Sequence, residues 1–290
     1  MNKSIIALAV AGAMAVPMVA QADATLFGEL RWNLDKVKNT DATSNIDRVR
    51  FGMTGSETMD SGLEAGYFIR VNAVADGAVS MHKTTLWVAG DFGKLIFGDS
   101  GNPLERSEDR IAYSTFSEDQ NILGANGFGG GAVSYESPVS NGFQLFLGVG
   151  NVDSTDDSVA GGHAGAAVEY NGDAFGATVS VGKAAITGDK TEYGVAVSTA
   201  VAGFTVGANY AKSSDAKGHG LGVKYSIDAL TLAFNYESTK LTGAANSSQT
   251  NGVSASYALG GNASVTAAYK DQNTTAGDAD AFKLRYAVSF

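Results

Sequence analysis

From residue 24 to residue 290, apolar side chains recur at every second position. Phe282, Leu284, Tyr286, Val288 and Phe290 alternate with Lys283, Arg285, Ala287 and Ser289, and Leu230, Leu232, Phe234 and Tyr236 alternate with Thr231, Ala233, Asn235 and Glu237. Leu221, Val223, Tyr225 and Ile227, and Phe204, Val206, Ala208 and Tyr210, repeat the pattern. A period of two is the mark of a strand with one apolar face, and no part of this region sustains a helical period. Sixteen such segments can be delimited, at 24–34, 44–55, 62–73, 80–90, 94–100, 129–137, 142–150, 163–171, 174–183, 191–200, 202–212, 217–227, 230–240, 250–259, 262–271 and 280–290. Their connectors alternate in length. Asn171-Gly172-Asp173, Val201, Asp228-Ala229 and Gly260-Gly261 are tight, whereas 151–162, 184–190, 213–216, 241–249 and 272–279 are mostly longer and polar.

A soluble sandwich has no reason to keep short and long connectors in turn. An up-and-down barrel across a membrane has one, because its periplasmic turns are short and its external loops long. Ten residues at about 3.3 Å each, tilted by about 40–45°, cover roughly the 25 Å lipid-facing band of such a barrel. If the first strand runs outward, Phe143, Tyr170, Phe175, Phe204, Tyr225 and Tyr257 fall near the inner rim, and Tyr210, Tyr236 and Tyr269 near the outer one. Two aromatic girdles suit two membrane interfaces. The fold class expected is therefore all-β, a closed antiparallel transmembrane barrel of 16 strands.

The N-terminus differs. Lys3 precedes an apolar run from Ile5 to Met18, and Ala20-Gln21-Ala22 is a small-x-small cleavage site, the pattern of a secretory signal peptide. Cleavage after Ala22 predicts two parts, a signal peptide at 1–22 and a barrel at 23–290. Of 290 residues none is cysteine, which removes disulfides, thiolate metal sites and cysteine nucleophiles. The 30 Asp+Glu against 20 Lys+Arg argue against nucleic-acid binding. Losing Lys3 leaves 19 against 30, a charge of −11.

Several stretches carry a resemblance: "ATLFGELRW" at 24–32, "RVRFGMTGSE" at 48–57, "LEAGYFIR" at 63–70, "WVAGDFGKLIFGDSGNP" at 87–103 and "RYAVSF" at 285–290. With these the chain resembles the general, trimeric porins of Gram-negative bacteria along its whole length after residue 22. It departs from them at Asp99, where relatives usually carry a basic residue, and at 58–61, which is less regular. The resemblance implies a homotrimer in the cell outer membrane, surrounded by lipid and lipopolysaccharide. It also implies insertion by a barrel-assembly machinery that reads the terminal Phe290, and a third external loop folded into the lumen.

The connector 101–128 is the long outlier and matches that loop by position. It carries Glu105, Glu108, Asp109, Glu118 and Asp119 against Arg106 and Arg110. Parity sends Arg31, Arg48, Arg50 and Arg70 into the lumen, because a charge facing lipid at mid-depth costs about 2–4 kcal/mol. An acidic loop facing a basic wall creates a transverse field that selects solutes by size and charge. The bland alternative is that each arginine pairs with a neighbour such as Glu29 or Glu64 and only holds the wall together. Lys83, Lys224, Lys270, Lys283 and Arg285 are further lumen candidates. The net charge and the loop carboxylates predict a mild preference for cations, opposed by the arginines.

No catalytic constellation is legible. His82, His163 and His219 begin the fourth, eighth and twelfth strands, too far apart for one metal. The carboxylates at 153–157 could hold Ca²⁺ loosely, but their spacing is not that of an EF-hand loop. No cofactor and no enzymatic activity are expected. The function expected is passive diffusion of small hydrophilic solutes and ions. The alternative within channels is a substrate-specific one, for sugars or for anions; the sugar form is disfavoured, since most aromatics have lipid-side parity, and a closed structural barrel is the alternative from another class.

Overall fold

The computed structural model of the chain describes residues 24–73, 79–116, 131–150, 163–183, 191–274 and 277–290. Residues 1–22, expected to be a signal peptide, and Glu118, Asp119 and the carboxylates at 153–157 lie outside the described residues.

The strands are β1 (Thr25–Val37), β2 (Thr43–Thr58), β3 (Glu64–Ala73), β4 (Val79–Gly90), β5 (Gly93–Gly98), β6 (Val133–Glu136), β7 (Phe143–Gly150), β8 (His163–Asn171), β9 (Gly176–Lys183), β10 (Thr191–Val201), β11 (Phe204–Lys212), β12 (Ala216–Ile227), β13 (Leu230–Leu241), β14 (Ser248–Gly260), β15 (Ala263–Thr274), β16 (Gly277–Asp278) and β17 (Ala281–Ser289). Sixteen of them form the wall, each antiparallel to its chain neighbours, while β16 is a two-residue ladder on β15 in the last long connector. β1 pairs with β2 on one side and β17 on the other, so the sheet closes and keeps no free edge. Closure is what hydrocarbon demands, since an unpaired backbone group there costs several kcal/mol.

The sixteen segments read from the period reappear in order. The largest differences are at strand ends: 129–137 shortens to Val133–Glu136, and 44–55 lengthens to Thr43–Thr58, because β2 goes on pairing with β3 as far as Thr58↔Glu64, beyond the end of its pairing with β1. Short hairpins gather at one end. Asn141-Gly142 and Ala202-Gly203 both take successive positive φ angles (49° and 82°, 48° and 82°), the handedness that matches the twist of flanking strands.

The polarity of the barrel is inverted relative to a soluble protein. Leu26, Leu86, Val179, Val197 and Tyr257 lie exposed on the outside, while the buried apolar residues described in the strands are, apart from Phe146, alanines such as Ala167, Ala196 and Ala268. Aromatic contacts mark the two rims. Phe143, Tyr170 and Phe175 pack in series as tilted rings at 4.7 and 5.1 Å, and Phe204 meets Tyr225 at 4.5 Å, at the end of the short turns. Tyr193 and Tyr210 meet at 6.2 Å at the other.

Two bulges interrupt the alternation near the external end. The β1–β2 register steps from Arg31↔Arg48 to Trp32↔Ile46, leaving Asp47 without an opposite residue. The β3–β4 register steps from Arg70↔Lys83 to Val71↔Met81, leaving out His82. A bulge sends two successive side chains toward one face, and both bulges here adjoin charged lumen residues.

Candidate functional site

The connector after β5 turns inward and lines the barrel. Asn102 opens a 3₁₀ turn, Pro103–Glu105, by accepting the Leu104 N–H on its Oδ1 at 3.0 Å, and one helical turn, Arg106–Asp109, follows. From there to Phe116 the chain runs along the inner wall from β8 to β17. Leu104 packs above Gly165 and Gly182, Ile111 above Gly207 and Gly220, and Ser114 above Gly252. A methyl on Gly222 would lie 2.6 Å from the Ile111 carbonyl oxygen, so the backbone approach needs glycine there. Phe116 closes the path against Ala268 and Ala281, with the Lys270 and Lys283 ammoniums 5.4 and 5.3 Å from its ring.

Polar anchors fix the loop between these apolar seats. The Ser180 hydroxyl donates to the Leu104 carbonyl at 3.1 Å and meets Ser107 Oγ at 2.9 Å. Asn235 binds three loop backbone groups. Its Oδ1 accepts from Tyr113 N–H at 3.2 Å and Ser114 N–H at 2.7 Å, and its Nδ2 donates to Ile111 O at 2.6 Å. Arg110 donates to Thr178, Asn171 and Ser198 on three neighbouring strands at 2.6, 3.0 and 3.2 Å. Arg106 pairs with Glu169 at 3.1 Å and Glu136 at 3.5 Å, with its guanidinium 3.2 Å from the Phe146 ring centre. The sequence expectation set Arg106 and Arg110 merely as counter-charges within an acidic loop. They are its anchors.

Across the lumen, the four arginines of the basic wall do come together, on β1, β2 and β3. Glu29 is shared by Arg31 and by Arg48, the latter at 3.3 Å. Arg50 Nε donates to Asn72 Oδ1 at 2.8 Å. The bulge turns His82 inward between Arg50, 2.8 Å from its Nε2, and Arg70, 2.9 Å from its Nδ1. Guanidinium only donates, and a neutral imidazole has one acceptor nitrogen, so the ring can accept from just one of the two at a time. Among the described residues neither Arg50 nor Arg70 forms an ion pair with a carboxylate. His82 was missed from the sequence because counting parity from a rim assumes unbroken alternation.

Behind this cluster, Arg285 donates to Asn33 Oδ1 at 3.2 Å and lies 3.9 Å from Asp47, the residue of the other bulge. Asp99 accepts the Thr84 N–H at 3.0 Å, tying the start of the inward connector to the strand that carries Lys83. Two lumen clefts flank the loop. One of about 540 Å³ is lined by Lys83, Trp87, Glu105, Asp109 and Tyr135 among others. The other, about 330 Å³, separates Glu29 and Arg31 from loop residues 112–115. Glu105 has a buried Oε1 with no hydrogen-bond partner. Burial, reinforced by Asp109 and opposed by Lys83, pushes its carboxyl up to about 7. Asp109 faces lumen water and Glu108 is half-buried. Among the described residues no group of three His, Asp or Glu could hold a metal ion.

A family model described as Gram-negative porin matches residues 7–277. Outer membrane porin protein 32 of Delftia acidovorans is 33% identical over 131 residues, which are 40% of this chain and 36% of that protein. The match thus spans little more than a third of that relative's length. Among solved structures, the anion-selective porin from Comamonas acidovorans superposes with a TM-score of 0.77 at 18% identity, covering 93% of this chain and 100% of that one. A loop-deletion mutant of OmpT from Vibrio cholerae gives 0.75 at 17% over 93% and 100%, and a variant of the Rh. blastica porin gives 0.74 at 16% over 92% and 100%. At these identities the structural likeness shows the fold. With the closed barrel and the inward loop beside it, the family match over nearly all of the sequence has one reading: the chain belongs to the Gram-negative porins, proteins of the outer membrane.

Proposed function

We propose that small hydrophilic solutes and ions diffuse through this channel and that its constriction favours anions. The observation that carries this is the Arg50–His82–Arg70 node, two guanidiniums with no carboxylate partner among the described residues, beside Lys83. The facing carboxylates offset it weakly. Glu136 and Glu169 are engaged by Arg106, Glu29 by Arg31 and Arg48, and Glu105 holds a proton up to about 7. A local surplus of fixed positive charge in a narrow, partly desolvated passage raises the local anion concentration whatever the net charge of the chain. This reading reverses the cation preference expected from net charge, which weighs distant rim carboxylates equally with constriction arginines. The named selectivity of the Comamonas porin points the same way. Zero-current potentials across planar bilayers in a KCl gradient test it. A potential of the sign set by chloride is expected, and a clear cation potential would overturn the proposal.

The same reading includes a non-catalytic homotrimer, with the early strands and β17 at the subunit contact, and a barrel-assembly machinery that reads Phe290. Its support is the family membership and the exposed Leu26, Leu30 and Leu86 on the early strands. Cross-linking of the detergent-extracted protein, read on a gel without heating, tests for a trimer band.

A further inference from the structure

Most aromatic side chains of the wall face lipid, but Phe27 on β1, Phe68 on β3 and Trp87 on β4 do not. They share the lumen parity of Arg31, Arg70 and Lys83. Phe27 and Phe68 stack at 5.0 Å with their planes 19° apart. Glycines make room for these rings against the wall. A Cβ on Gly52 would lie 2.6 Å from Phe27 Cζ, and one on Gly66 2.2 Å from Trp87 Cζ2.

The rings form a ledge on the periplasmic side of the basic node. On the β3–β4 ladder Arg70 is opposite Lys83, Phe68 opposite Thr85 and Gly66 opposite Trp87. Successive lumen residues of one strand are about 7 Å apart, so the path toward the short turns steps from cations to rings. The Arg70 guanidinium is 5.8 Å from the Phe68 ring centre, and the Lys94 ammonium 4.3 Å from that of Trp87. Phe68, Trp87, Lys83 and Lys94 line the cleft of about 540 Å³ between wall and loop, and each is half-buried. Phe146, in the same cleft, differs: it is 4% exposed beneath the Arg106 guanidinium and serves packing. Ring surface left toward a water-filled lumen forgoes the gain of burial, and a solute that covers it recovers that gain.

We propose that this ledge is a transit site for monoanionic aromatic carboxylates. The carboxylate sits at Arg70 and Lys83, and the ring stacks offset on Phe68 and Trp87. The loop side of the cleft brings Glu105 and Asp109, which repel a second negative charge and so favour a monoanion over a dicarboxylate. An uncharged sugar would use the rings and leave the cations unanswered. The site lies open to the lumen, as conduction requires, so that its occupant can leave again. The proposal rests on the anion preference proposed above and names a class of anion that it admits.

Open-channel current of the purified full-length protein in planar bilayers tests it, in KCl with 3-phenylpropionate, butyrate or maltose added. Phenylpropionate should reduce the current with half-saturation at a concentration at least fivefold lower than butyrate or maltose requires. The double variant Phe68→Leu, Trp87→Leu, checked for heat-modifiable gel migration, should need as much phenylpropionate as butyrate. Equal half-saturation by the two acids, a stronger effect of maltose, or undiminished sensitivity of the folded double variant would each overturn the proposal. If the double variant does not fold, the comparison of the two acids on the unaltered protein decides alone. The zero-current potential of the same bilayers separates the two readings. A cation potential would overturn the anion preference and this site with it, whereas a chloride potential with ring-independent block would overturn this site alone.

Discussion

Phe290 closes the barrel over Gly28. The Phe290 carbonyl accepts the Gly28 N–H at 2.9 Å, and the Phe290 N–H donates to the Gly28 carbonyl at 3.1 Å. The ring fills the space that a side chain on residue 28 would need, since a Cβ there would lie 2.2 Å from the ring's Cζ. Gly28→Leu should therefore displace the ring and lower the temperature at which the folded band converts on gels. Deleting Phe290 should cut the yield of folded barrel in cells more than refolding in detergent. Equal outer-membrane levels of the truncated and full-length chains would leave Phe290 a packing role alone.

Removing the unpaired guanidiniums should move selectivity toward cations. Arg50→Ala with Arg70→Ala is expected to shift the zero-current potential in the cation direction, and Arg48→Glu with Arg50→Glu further still. Stability should change little, because lumen substitutions tune selectivity whereas charges on the lipid face disturb insertion. An unchanged potential in both variants would place the selective point elsewhere.

The seat of the loop predicts conductance. Ile111 is 2% exposed against lumen glycines, and Ile111→Ala should weaken docking by about 2 kcal/mol, the low end for a buried Ile truncation. Asn235→Ala would strand three loop backbone groups, at about 1 kcal/mol each. Both variants should show noisier open-channel current, and deletion of 105–119 a larger single-channel conductance. Conductance unaltered by the deletion would mean that the loop does not narrow the pore.

Acidity should act through Glu105. Its carboxyl titrates near 7 in the folded protein against an ordinary 4.5, so docking is tightest when it carries its proton. That contribution is complete below about 4.5 and is lost as pH rises through about 7. Current fluctuations should therefore grow between pH 5.5 and pH 8, and Glu105→Gln should flatten the dependence. A Gln variant with the original pH profile would assign the effect to another group.

Processing is a separate expectation: the N-terminus of the protein in the outer membrane should be Asp23, since Ala20 and Ala22 are the small residues that signal peptidase requires. Intact mass measurement checks it, and a mass retaining Met1 would refute it.

The wall was legible because its period is short and unbroken: residues 191–240 need only alternation to place each side chain on the correct face. His82 and Asp47 were not, because a single skipped residue in β2 or β4 reverses parity locally and leaves no trace in composition. The loop's existence could be read from its length. Its path could not, because Ile111 and Asn235 meet across 124 residues of chain. A signal was present all the same, in glycines recurring at lumen parity on β8, β9, β11, β12 and β14. Strand propensity disfavours glycine there, so something else must need the room.

Those glycines divide the barrel into two territories with different freedom to change. The strands from β8 to β14 carry the loop on small inward residues, and almost any enlargement there dislodges it. In the other, on β2 and β3, Arg48, Arg50 and Arg70 meet the side chains of Glu29, Asn72 and His82 rather than the loop backbone, so one charge can replace another there without disturbing the loop's seat. A lineage under pressure to admit a new nutrient or exclude a toxin could rewrite the second territory one residue at a time while the first stays fixed. Ion preference in this fold is thus an evolvable trait, decoupled from the architecture that narrows the passage.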